Sequence, residues 1–260
     1  MNIIVCVKRV PLTQEVDLQI GAGGKDIRKD MLAYVINEWD SYAIEEAVLL
    51  KEQHGGEVTA VTVGGEEDEE VLRRCLAMGA DRAIRIDPEG RELDAFSTSK
   101  ILSGVIRDLD FDLVFTGVQA DDLNEGAVGV MLAEHLGVAH AAVVRGFELK
   151  EGGEATLKVE LEGGIDEVVS IPFPAVVSIQ TGINEPRYVS IMGIRKAAKK
   201  ELKVMKVEDL GLSDQDLTPM ITVEELYLPP ETEGAEILEG DPGMVAEQIL
   251  QILKEKGVAK

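Results

Sequence analysis

The stretch "FDLVFTGVQADDLNEGAVGVMLAEHLG", residues 111–137, holds a strand, a polar loop and a helix in one line. "FDLVFTG" is a short apolar run of the kind buried on both faces of a sheet. "GAVGVMLAEHLG" carries helically spaced apolar residues and ends on glycine. The same unit recurs upstream. "IIVCVK", "EVTAVTVGG" and "RAIRID" predict three earlier strands, and "SYAIEEAVLLKEQHGG", "EEDEEVLRRCLAMGA" and "LDAFSTSKILSGVIRDL" predict the helices between them. The second of these helices opens on acidic residues, which suit the positive end of a helix dipole. The order βαβαβαβα predicts the α/β class: a parallel, doubly wound sheet with helices on both faces.

After Gly137 the pattern changes. "HAAVVRGFELK", "EATLKVELEG", "DEVVSI" and "AVVSIQ" predict strands joined by short glycine turns, as in an antiparallel hairpin extension. From Lys200 to about Ile237 helix and strand signals are sparse, and "LSDQDLTPM" and "LYLPPETEG" suggest an extended arm. "DPGMVAEQILQILKEKG" then predicts a helix from Pro242 to Gly257. A stretch of about 35 residues without structure is too long for a loop inside a compact domain. It is expected to lie on a partner subunit. The expected organisation is an α/β domain over 1–190, a loop with a basic helix over 191–200, and a C-terminal arm and helix over 201–260.

A formal net charge of −23 argues against nucleic acid or an anionic membrane as the main partner. The exception is local: from Arg187 to Lys206 there are seven Lys/Arg and a single Glu, with the apolar pair Ile191 and Met192 inside the run. Tyr188 is the one aromatic residue of the run and none interleaves with the other cations, so a base-stacking surface is not expected. The two cysteines, Cys6 and Cys75, form no CxxC pair, so a reduced, cytoplasmic protein is expected. No signal peptide and no membrane-spanning run are visible.

In open parallel sheets ligands sit beyond the carboxyl ends of strands, near helix N-termini. Within residues 115–129, Gly117, Gly126 and Gly129 would let backbone N–H groups approach a phosphate. Gln119, Asp122 and Asn124 could bind polar ligand edges. The alternative is a plain loop of turn residues with a cap. "GAGGKD" from Gly21 lacks the spacing of a phosphate-binding loop and predicts a hairpin tip. Asn37 falls at the same sheet edge as Gly117, and Asp40 or Ser41 is a candidate helix cap. His54, His135 and His140 are not at metal-ligand spacing, no GxSxG elbow occurs, and Cys6 fits a small buried strand residue. Neither a catalytic residue nor a metal site is expected.

The run "VELEGGIDEVVSIPFPAVVSIQTGINEPRYVSIMGIRKAAKK" resembles the signature region of the electron-transfer flavoprotein beta-subunit family. "CVKRVP", "AIEEAVLLKE", "LAMGADRAIRI" and "GVQADD" resemble it too, in the right order, so the resemblance spans nearly the whole chain. It implies an adenine nucleotide alpha hydrolase-like fold and an alpha-subunit partner that carries the redox-active FAD. It also implies AMP in this chain, or a second FAD as in electron-bifurcating members that use NADH. The nucleotide residues it implies are Cys6, Asn37, Glu38, Trp39, Asp40, Val63, Gly117, Gln119, Ala120, Asp121, Asp122, Asn124, Gly126, Ala127 and Val128. Typical AMP-binding members end this loop in Asn-Gln-Thr, where this chain has Gly126-Ala127-Val128. Thr13 stands where some members place an aromatic residue near the flavin, and Glu162 matches an acid near the flavin-bearing partner domain.

The resemblance also implies that Ile191, with Met192 after it, inserts into a pocket of a partner dehydrogenase. A basic helix that includes Arg195 and Lys196 would steer that encounter. The implied function is electron transfer from donors such as acyl-CoA dehydrogenases, as in fatty acid oxidation, through FAD to a quinone reductase. A bifurcating subunit is the alternative, and a stand-alone nucleotide-binding protein of the same fold is a third reading.

Overall fold

A computed structural model describes residues 1–14, 16–30, 32–230 and 234–259. Residues 231–233 of the expected arm lie outside the described residues. Nine strands form the main sheet in the order β11-β5-β4-β1-β6-β10-β7-β8-β9. They are β1 (Asn2–Cys6), β4 (Glu57–Val63), β5 (Arg82–Asp87), β6 (Leu113–Gly117), β7 (Ala139–Lys150), β8 (Glu154–Leu161), β9 (Ile165–Pro172), β10 (Ala175–Ile179) and β11 (Leu202–Lys206). Two short strands, β2 (Arg9–Pro11) and β3 (Tyr34–Ile36), pair antiparallel beside it. The helices are α1 (Glu38–His54), α2 (Glu69–Met78), α3 (Ala95–Ile106), α4 (Val128–Leu136), α5 (Ile191–Ala197), α6 (Asp214–Leu217) and α7 (Pro242–Glu255).

The strand residues explain the two-sided core. Along β1, Ile3 and Val5 face one cluster with Ala43, Ile44, Leu72 and Leu76 of α1 and α2. Ile4 and Cys6 face the other, with Ile101, Leu102 and Leu132 of α3 and α4. Successive strand side chains point to opposite faces, so a strand with helices on both sides must be apolar throughout. Every strand from β11 to β7 in the sheet order runs parallel to its neighbours, and β8 and β9 extend the sheet antiparallel. The predicted parallel α/β sheet with helices on both faces and a hairpin extension is what forms.

Three expectations change. "AVVSIQ" is not a hairpin strand: β10 lies between β6 and β7, parallel to both. All its residues are buried, and only a site covered on both faces accommodates such a strand. The stretch after Lys200 is not bare, because β11 adds to the sheet edge alongside β5. The basic run is also not one helix. Arg195 and Lys196 belong to α5, the chain turns at Lys199 and Lys200, and Lys203 and Lys206 lie on β11.

The chain divides into two compact units, residues 1–224 and 225–260. The second contains α7, whose N-cap Asp241 accepts from the Gly243 and Met244 amides. No residue of α7 is buried. Among the described residues no helix is long and apolar enough to cross a membrane.

Candidate functional site

The carboxyl ends of β1, β4 and β6 open into a cavity of about 240 Å³. This is the crevice where the chain, having built β4 and β5 on one side of β1, crosses to build β6 on the other. Its walls include the apolar Val61, Val63, Leu93, Leu102 and Val128, and its rim carries Lys8, Gln119 and Glu125.

The rim is built by two side chains at the start of α1. Asn37 is the backbone N-cap, and its side chain does not cap the helix. It is buried and aimed instead at the loop after β6, where Nδ2 donates to the Gln119 carbonyl at 2.8 Å and Oδ1 accepts from the Asp121 amide at 3.0 Å. Asp40 is likewise not the cap. Its buried carboxylate accepts from the Lys8 amide at 2.7 Å and from the Gly117 amide at 3.0 Å, tying together the chain just past β1 and the end of β6. The Lys8 ammonium reaches Asp122 at 2.7 Å, a third tie across the same gap.

Two glycines are required sterically. A Cβ on Gly117 would lie 2.5 Å from Asp40 Oδ1 and 2.6 Å from Trp39 Cβ. One on Gly129 would collide with the Ser178 and Thr116 hydroxyls, which hydrogen-bond to each other beneath α4. Asn124 and Gly126 both adopt positive φ, as the tight loop demands. The loop delivers the chain to α4, whose N-cap is Ala127 and which has no side-chain cap. The first amides of α4 therefore lack a side-chain acceptor beside the cavity, an arrangement that favours an anion.

Burial pushes the Asp40 carboxyl up to about 7, against the hydrogen bonds from Lys8, Asn37 and Gly117 and the Lys8 charge, which pull it down. Its folded-state value thus exceeds the unfolded one, so the native state holds the extra proton between about pH 4 and 7. The stability tied to this group is present below about pH 4 and is lost as pH rises through 7. Urea unfolding at steps from pH 5 to 8 should show that downward component. Asp40→Asn, which cannot titrate, should lack it, and a variant that keeps the same slope would show that the component arises elsewhere.

Of the residues expected at a nucleotide site, Cys6, Asn37, Asp40, Val63, Gly117, Gln119, Ala120, Gly126, Ala127 and Val128 line this cavity. Asp121, Asp122 and Asn124 belong to its loop but not to its wall. Glu38 offers its amide to the Asp121 carboxylate at 3.3 Å. Trp39 turns away, its Nε1 donating to Gln180 Oε1 at 2.9 Å, and Gln180 in turn donates to Glu160. Sequence reasoning missed Thr62, Leu93, Ala95, Thr98 and Leu102 as lining residues. The available signal was that α3, like α4, begins at this sheet edge, with Asp94 and Ser97 forming its capping box.

Thr13 and Glu162 are exposed and stand outside the cavity, the first after β2 and the second in the turn between β8 and β9. Ile191 and Met192 open α5 and are 70% and 67% exposed, and Ser190 caps this helix by accepting from the Gly193 amide at 3.1 Å. Three of the seven cations in the basic run are already engaged. Arg187 pairs with Glu45 and Glu52, Lys200 donates to the Leu76 and Ala80 carbonyls, and Lys206 pairs with Glu89 and Glu208. Arg195, Lys196, Lys199 and Lys203 form no ion pair among the described residues.

Residues 29–210 match the electron transfer flavoprotein domain family. The chain is 40% identical to the electron transfer flavoprotein subunit beta of Methylophilus methylotrophus over 98% of each chain. It is 39% identical to the subunit of the same name from Bacillus subtilis (strain 168), again over 98% of each. With the caffeyl-CoA reductase-Etf complex subunit CarD of Acetobacterium woodii it shares 32% identity over 99% of this chain and 100% of that one. A parallel sheet with a crevice at its carboxyl edge and a match over most of the length lead to one family: this chain belongs to the electron-transfer flavoproteins, as a beta subunit.

Proposed function

We propose that the chain pairs with an electron-transfer flavoprotein alpha subunit and that the cavity holds AMP as a structural nucleotide, while the redox-active FAD resides in the partner. The size and lining of the cavity carry this reading. At about 240 Å³ it falls below the roughly 300–1,000 Å³ of pockets that bury larger ligands. It suits a mononucleotide better than a whole flavin dinucleotide. Val61, Val63 and Leu102 offer apolar surface to a base, and the uncapped start of α4 offers amides to a phosphate. The residues thus fit the nucleotide. When bound in the partner, the flavin supplies the electron chemistry, and this chain contributes binding, orientation and exclusion of water.

In this reading the heterodimer, a cytoplasmic carrier, takes electrons from acyl-CoA dehydrogenase-type donors that dock at Ile191 and passes them to a quinone reductase. A bifurcating subunit with FAD in this cavity and NADH as donor is the second reading. It is favoured by one local observation: the loop closes with Gly126-Ala127-Val128, and a Cβ on Gly126 would meet only the Val118 carbonyl, at 3.7 Å. Flavin bleaching in the purified heterodimer separates the two. Bleaching by an acyl-CoA dehydrogenase reduced with its acyl-CoA substrate, and not by NADH, is the expected result. Prompt bleaching by NADH alone would replace the first reading with the second.

A further inference from the structure

Helix α1 serves two places at once. Its first turn builds the cavity rim through Asn37 and Asp40, and its middle carries two adjacent buried carboxylates, Glu45 and Glu46, 3% and 8% exposed. Buried carboxylates are costly unless they are paired and hydrogen-bonded. Both are satisfied from one segment more than 130 residues away in sequence. Asn184 Nδ2 donates to Glu46 at 3.0 Å and to the Tyr42 carbonyl at 3.1 Å. Arg187 grips Glu45 with Nε at 2.9 Å and Nη2 at 3.0 Å, and its backbone amide adds a third bond at 3.1 Å. The same guanidinium reaches Glu52, two turns further along α1, with Nη1 at 2.8 Å and Nη2 at 3.1 Å. A planar fork that engages two carboxylates fixes orientation as well as position, which a lysine cannot do.

The chain leaves this grip abruptly. Tyr188, the next residue, is 91% exposed, and Ile191 and Met192 follow. On the far side the segment is held again. Arg73 of α2 donates to the Ala197 and Lys200 carbonyls at the end of α5, and Lys200 donates back to the Leu76 and Ala80 carbonyls at the end of α2. Residues 188–196 are therefore a short projection clamped at both ends, resting on the core through Val189 and exposing Tyr188, Ile191 and Met192. We propose that the Glu45–Arg187–Glu52 cluster is the positioning device of this projection: it sets the angle at which the segment carrying Ile191 departs from the side of α1, so that the anchor is ordered before a partner arrives. An anchor ordered in advance does not incur the cost of immobilisation on binding. This inference rests on the reading of Ile191 as the docking anchor.

The test uses the purified heterodimer and an acyl-CoA dehydrogenase reduced with its acyl-CoA substrate. Arg187→Gln should raise the KM for the heterodimer about tenfold with kcat nearly unchanged, and Arg187→Lys should fall between it and the wild type. Hydrogen exchange of residues 188–194 should accelerate in the same order. Because Arg187→Gln leaves the Glu45 carboxylate buried without its cation, the double variant Glu45→Gln/Arg187→Gln and the exposed-partner variant Glu52→Gln provide readings that do not depend on its folding. Unchanged KM and exchange in these two variants would overturn the proposal. So would a loss confined to kcat or flavin content. Ile191→Ala is the control that separates the two ideas: if it leaves KM unchanged the docking reading fails, whereas if it raises KM and the Arg187 series does not, only the positioning role fails.

Discussion

Replacing Asp40 with Ala is expected to lower the unfolding free energy by roughly 2–4 kcal/mol and to strip the cavity of its nucleotide. The estimate follows from the two amides it serves. Lys8 N–H and Gly117 N–H both donate to this carboxylate, and each buried donor left without an acceptor costs about 1–3 kcal/mol. Part of that is offset, because the variant no longer buries an ionisable group. The loss is greater for function than for stability. Asp40 ties the end of β6 to the chain leaving β1, and the loop from Val118 to Ala127 starts from that junction. With Asp40 absent, the loop would be held by Asn37, through Gln119 and Asp121, and by the more exposed Lys8–Asp122 pair. Urea denaturation at pH 6 gives the stability, and nucleotide content per heterodimer gives the second effect. A variant that keeps both would show that the carboxylate is incidental to the crevice.

Ile191→Ala is expected to weaken reduction by an acyl-CoA dehydrogenase by roughly 30-fold in kcat/KM, the effect of removing an interface anchor worth about 2 kcal/mol. The side chain is 70% exposed and packs on little of its own chain, so its truncation should leave folding and flavin content intact. Stability within about 0.5 kcal/mol of the wild type is therefore part of the expectation. Loss of flavin, or of several kcal/mol of stability, would mean that the residue supports the fold instead. The free cations nearby, Arg195, Lys196, Lys199 and Lys203, would contribute mainly to the rate of encounter.

The parts of the fold that were legible in the sequence share one physical property. Strands such as β1 and β6 are buried on both faces, so their apolar runs are continuous and their alternation with amphipathic helices stands out. β11 has neither property. "LKVMK" is an edge strand with exposed lysines, and in the sequence it merges with the basic run around it. β10 was visible as a strand but not as a parallel one. Only a short link separates it from β9, and such a link suggests a hairpin. The actual pairing follows from the demand of a fully buried strand for cover on both sides.

The candidate site shows the same divide. The sheet edge and the glycines of the loop could be read directly. The role of Asp40 could not, because an aspartate at the start of a helix looks the same whether it caps that helix or binds amides 32 and 77 residues away. Arg187 was likewise counted as one charge of a patch, whereas its partners lie on α1 and its charge is spent there.

What occupies the crevice beside β1 decides whether this chain carries a structural nucleotide or a flavin. The most direct measurement is to denature the purified heterodimer and quantify the released nucleotides by chromatography against protein concentration. One AMP and one FAD per heterodimer is the predicted result. Two FAD and no AMP would contradict it, and would make this chain a flavin-binding subunit in its own right.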